Sequence, residues 1–170
     1  MSEGGRETIQ NRLHVTLALL CAWLILTSPW IAMLRRMPSS AGFLDYAHVV
    51  VGALALTLAL PYAFACMRGG RWRNHFPWVV GDVRPLARDV AGLLRGRLPS
   101  AEGGGLFAVI EGLLLAALLL VAITGAGWWF TQGSGDALVW REAHVVGARV
   151  LIGLTVAHVV AVATHLFELA

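Results

Sequence analysis

Charge is scarce in this chain: 14% of its 170 residues are Asp, Glu, Lys or Arg, while 58% are apolar. A soluble domain carries about 25% charged residues, so the composition excludes an ordinary water-soluble fold and indicates a membrane protein. Lysine is missing altogether, since all 13 basic residues are arginine. Most of those arginines flank apolar runs, so the net charge of +3 reads as membrane topology and not as affinity for nucleic acid. Cysteine is limited to Cys21 and Cys66, both within apolar stretches, where they read as buried thiols. Neither belongs to a C-x-x-C-H motif, so covalently attached c-type haem is not indicated. A cleavable signal sequence is not visible either, and the first apolar segment is too long for one, so it is expected to stay as a span.

What is present is a set of four apolar runs. Residues 13–34 and 46–67 each hold 22 residues without a formal charge, and about 20 suffice to cross a bilayer as a helix. Residues 106–130 form a third run, with Glu111 in its first turns, and residues 140–167 a fourth. Pro61 is expected to kink the second helix, which neighbouring helices can accommodate. Gly133, Ser134, Gly135 and Asp136 mark a turn between the last two runs. The expected fold is therefore an all-α membrane protein, a bundle of four transmembrane helices forming one domain over residues 1–170.

The long connection between the second and third spans places Val83, Leu86, Val90, Leu93 and Leu94 at helical spacing among arginines, which suggests a short helix lying in the interface. Four spans put the N-terminus, this connection and the C-terminus on one side. That side carries nine arginines against three in the opposite loops, Arg35, Arg36 and Arg141. The positive-inside rule then places both termini in the cytoplasm, with the protein multi-pass in a bacterial inner membrane. Trp30, Trp128, Trp129 and Trp140 fall at the outer interface, and Trp72 and Trp78 at the inner one, where they read as anchors.

Ionisable residues at membrane depth are costly and count as functional by default. The fourth run carries His144, Arg149, His158 and His165. From His144 to His158 is 14 residues, about 21 Å of helical rise, with the two rings within roughly 40° of each other. One helix thus offers an imidazole near each membrane surface. His14 starts the first run at the inner face, at the depth of His158, and His48 starts the second at the outer face, at the depth of His144. Imidazole is a common iron ligand, and sites in bundles are built from side chains on facing helices. Each pair could clamp one porphyrin, and two axial histidines leave no open iron position, which suits single-electron relay. His165 lies about 31 Å along the helix from His144, at headgroup level, which favours His158 as the ligand.

Gly52, one turn after His48, and Gly147, three residues after His144, could make room for a flat macrocycle, although helix packing through small residues explains them equally well. Arg149 points about 140° away from His144, so a haem propionate or a partner subunit are its candidate contacts. Glu111 could snorkel to the interface, and His75 in the long connection is expected at the surface.

The run IQNRLH before a hydrophobic helix, the H-x-x-x-G of His48 to Gly52 and the two histidines 14 apart on the last helix together resemble the prokaryotic di-haem cytochrome b561 family. That family is similar to the b-type cytochrome subunits of nickel-iron hydrogenases and of formate dehydrogenase. The resemblance implies two b-type haems, one held by His14 and His158 and one by His48 and His144, and quinone as a redox partner. It further implies electron transfer across the membrane between a periplasmic donor and the quinone pool. The alternative is a membrane-anchoring cytochrome b subunit of a larger dehydrogenase or hydrogenase complex. No iron-sulfur or nucleotide motif is present, so the donor is expected to be small or a separate protein. A metal-ion transporter is a further alternative; it would want carboxylates beside the histidines, and only Glu111 lies within a span.

Overall fold

The apolar runs are helices, and three of the four begin earlier than expected, the third starting at residue 106 as expected. The computed structural model describes the backbone of residues 3–70, 72–97, 99 and 104–168 and the side chains of all of these except 3, 6, 69 and 164–168; the ring of His165 therefore lies outside the described residues. Seven α-helices follow in chain order: α1 Glu3–Thr27, α2 Phe43–Met67, α3 Trp72–His75, α4 Pro77–Val80, α5 Arg84–Leu93, α6 Leu106–Thr131 and α7 Asp136–Glu168. Among the described residues there is no strand. Four helices, α1, α2, α6 and α7, are long and apolar enough to cross a membrane, with spans at Glu7–Trp30, Phe43–Met67, Leu106–Thr131 and Asp136–Ala163. The chain is thus an all-α, multi-pass membrane protein.

The boundaries move in ways that matter for the histidines. The helix expected to start at residue 13 starts at Glu3, so His14 sits about three turns inside α1 and not at its beginning. The fourth helix starts at Asp136, in place of residue 140, and this acidic residue in the first turn complements the positive end of the helix dipole. His144 thereby lies in the third turn of α7, while His48 lies in the second turn of α2. Helix α2 continues through Pro61 without interruption.

Contacts divide the chain into two compact units. The first comprises Met1–Ala65 and Ala117–Val150. Within it, several backbone groups of residues 31–37 are met by other parts of the unit. Asp45 accepts hydrogen bonds from the backbone N–H of Ala32 (2.8 Å) and of Gly42 (2.9 Å), so one buried carboxylate ties the segment to the first turn of α2. The Arg141 guanidinium donates to the Met33 carbonyl, and the Trp128 indole N–H donates to that of Leu34 at 2.7 Å. Gly133 N–H donates to the Arg35 carbonyl, and Met37 N–H to the side chain of Gln132. Gly133 adopts φ of +87°, a left-handed conformation that the tight turn between α6 and α7 requires.

Trp128 therefore departs from the expected role of interfacial anchor: it is 3% exposed and holds the segment from inside. Trp140 is likewise packed, against Gly127, where an added Cβ would meet its ring. Trp30 and Trp129 remain exposed. Cys21 and Cys66 form no disulfide and are half-buried, where full burial was expected.

The second unit comprises Cys66–Ala116 and Leu151–Ala170. Here the long connection folds onto the start of α6. The Asp89 carboxylate accepts a hydrogen bond from the backbone N–H of Leu106 at 2.8 Å, satisfying one of the donors that a helix start leaves free. His75, expected at the surface, is instead half-buried: its Nδ1 lies 2.9 Å from the Ala108 carbonyl, and its backbone packs where only a glycine, Gly112, leaves room. The signal missed was the glycine one turn beyond a carbonyl on the facing helix.

Replacing Trp128 by Phe removes the donor to the Leu34 carbonyl, and a hydrogen bond of this kind contributes about 0.5–1.5 kcal/mol net. Trp128→Phe is expected to lower stability by that amount in unfolding experiments in detergent, and Trp129→Phe to leave it nearly unchanged. Equal effects would contradict the buried role of Trp128.

Candidate functional site

Within the first unit the structure brings two of the four expected histidines together. His48 on α2 and His144 on α7 have ring centroids 6.5 Å apart and ring planes at 79°. Both are half-buried. Each ring is set by its own surroundings. His48 follows Asp45 by three residues, and the Asp45 carboxylate fixes the first turn of α2 through the two backbone hydrogen bonds already described.

His144 is held by α6. Its Nδ1 donates to the carbonyl of Val121 at 2.9 Å, because a carbonyl oxygen can only accept. In the neutral ring the lone pair then sits on Nε2, the arrangement by which a hydrogen bond to one nitrogen readies the other as a metal ligand. The approach depends on Gly125, where a Cβ would lie 3.1 Å from both Cε1 and Nδ1 of His144. Along α6 and α7 three such contacts run antiparallel: Val121 with Gly147, Gly125 with His144, and Gly127 with Trp140. Gly147 thus serves helix packing, the second of the two roles open to it from the sequence.

The pair fits a metal ion gripped from two sides. Two metal–nitrogen bonds of about 2 Å each, with roughly 1 Å from each ring centre to its nitrogen, span about 6 Å, and the observed 6.5 Å is close to that. His48 Nδ1 is buried without a hydrogen-bond partner, a condition that native proteins carry mainly where function requires it. Gly52, one turn along α2 from His48, has nothing within 4 Å of where a Cβ would stand, so the helix face next to the ligand is open to a flat group. Among the described residues no group of three or more His, Cys, Asp or Glu side chains converges, so the donor set here is a pair.

The other expected residues are placed separately. His14 is exposed on α1 and stacks on Tyr62 of α2, with centroids 5.9 Å apart and planes at 10°. His158 lies on α7 in the second unit, and its Nδ1 is buried without a hydrogen-bond partner, as in His48. Arg149 and Glu111 are exposed. Sequence reasoning did not single out Asp45, Val121 or Gly125. For Gly125 a signal existed: an antiparallel register of the last two helices across a short turn sets Gly125 and Gly127 opposite His144 and Trp140.

The family model described as prokaryotic cytochrome b561 matches residues 7–169, nearly the whole chain. The chain belongs to the prokaryotic cytochrome b561 family. Comparison with curated proteins and with solved structures gives no match. Membership accounts for the four apolar helices and sets the coarse chemistry of this cytochrome b561, electron transfer across a membrane by b-type haem. The paired imidazoles, the open face at Gly52 and the partnerless Nδ1 of His48 fit such a group.

In Gly125→Val the added side chain occupies the space of the His144 ring. The expected outcome is a fall in haem per chain, with Gly153→Ala, a position open to a Cβ, as the unaffected control. Full retention of haem in Gly125→Val would contradict the placement of His144.

Proposed function

We propose that this cytochrome b561 carries electrons between a donor on the outer face of the membrane and the quinone pool, through two b-type haems, each held by a pair of histidines. The 6.5 Å approach of His48 and His144 carries the reading. When bound, a haem held from both faces passes one electron at a time and keeps no free iron position. His48 and His144 hold the outer group, and His14 and His158 the inner one. The 14-residue separation of His144 and His158 on α7 supports two levels, one toward each surface.

The chain's own residues do the positioning. Val121 orients His144, Asp45 steadies the turn that bears His48, and Gly52 leaves space for the macrocycle edge. Arg149, a cation in the middle of a span, reaches a haem propionate, since an ionisable group at that depth needs a counter-charge. The nine arginines beside the N-terminus and the long connection support a cytoplasmic location for both termini. The match of one family across residues 7–169 supports a single functional domain.

A second reading, the membrane subunit of a larger dehydrogenase or hydrogenase, is favoured by the exposure of Arg149 on α7. In that case its counter-charge comes from a neighbouring subunit.

The test is a reduced-minus-oxidised spectrum with haem quantified per chain. Wild type is expected to hold two haems, and His48→Ala and His158→Ala to lose mainly one each. Retention of both haems in either variant would overturn the ligand assignment. Quinone reduction by the purified chain without other subunits separates the two readings.

A further inference from the structure

Helix α5 leaves its apolar face uncovered. At ten residues, about 15 Å, it is too short to cross a bilayer. Yet Val83, Val90 and Leu93 are more than 40% exposed, and Leu94, which caps the helix, is 86% exposed. With Leu86 these side chains fall within an arc of about 100° around the helix, and Arg84 and Arg88 lie on the opposite side. Both arginines are exposed, as are Arg95 and Arg97 just beyond the helix. An apolar stripe backed by arginines is the pattern of a helix lying flat at a membrane surface, where long arginine side chains reach phosphate groups while the stripe enters the acyl boundary.

Depth supplies an independent argument. The Asp89 carboxylate, on the same helix, accepts the backbone N–H of Leu106, the first residue of the third span. An added Cβ at the neighbouring Gly105 would overlap that carboxylate, so the contact is close. Helix α5 is thereby tied to the level at which α6 enters the membrane. Asp89 is engaged in this bond, and Asp82 accepts the backbone N–H of Arg84 at 3.3 Å. Both carboxylates keep their charge, but Arg84, Arg88, Arg95 and Arg97 outnumber Asp82 and Asp89, so residues 82–97 are net positive.

We infer that α5 is a surface-lying helix that selects anionic phospholipids, with its apolar stripe in the leaflet and its arginines on the headgroup phosphates. This does not rest on the histidine pairs, and the haem spectrum serves only to show that variants are folded. Each arginine near an anionic surface adds about fivefold to binding.

The full chain is reconstituted in phosphatidylcholine vesicles with and without phosphatidylglycerol. A spin label at Leu94→Cys, with Cys21 and Cys66 replaced by Ser, reports depth through relaxation by oxygen against a water-soluble nickel chelate. The label is expected to respond to oxygen and to be shielded from nickel. Exposure to nickel would overturn the inference, as would shielding from both reagents, which would place another protein surface on the stripe. In the natural-cysteine chain, lipids retained in native mass spectrometry are expected to favour phosphatidylglycerol, and Arg84→Gln with Arg88→Gln to reduce that preference roughly 25-fold. An unchanged preference in the folded double variant would overturn the role of the arginines.

Discussion

The hydrogen bond from His144 to the Val121 carbonyl is the contact on which the rest of the site depends. It exists only because Gly125 lacks a side chain, so a carbonyl already used within α6 remains open to a ring from α7. The bond decides which imidazole nitrogen keeps its lone pair and where that nitrogen points. The distance to His48, and with it the fit to a gripped iron, follows from the same contact. Helix packing and the orientation of the His144 ring are here one set of interactions, since the glycine that permits the close approach of two helices also seats the ring.

A second constraint lies between the end of α1 and the start of α2. The segment of residues 31–37 is neither helix nor strand, and it is satisfied by side chains from α2, α6 and α7 and by the turn between the last two. By joining these elements it fixes the first turn of α2, just ahead of the turn that carries His48. A surface loop would be free to vary, whereas this one shares the buried Asp45 carboxylate with the helix that carries His48.

Much of this was legible in the residues themselves. The four spans follow from uncharged runs of bilayer length, and the pairing of His48 with His144 follows from two histidines near helix starts at one face. The start of α1 at Glu3 was not legible, because its first turns are polar and carry no apolar period. Nor was the role of Trp128: tryptophan at a span end reads as an anchor until a carbonyl from a distant segment claims its N–H. Gly125 and Gly147 look alike in sequence, and only the register of α6 against α7 assigns the first to the ligand and the second to packing. His75 shows the same limit, since its half-buried position is set by Ala108 and Gly112, more than thirty residues away.

The claim that His48 and His144 share one iron is tested most directly by electron paramagnetic resonance of the oxidised protein. Ring planes at 79° predict a strongly anisotropic low-spin ferric signal, because near-perpendicular axial imidazoles leave the iron orbitals almost degenerate. That signal should disappear in His144→Ala while the other haem's signal persists. A wild-type spectrum showing only high-spin iron, or one unaltered by the substitution, would contradict the account.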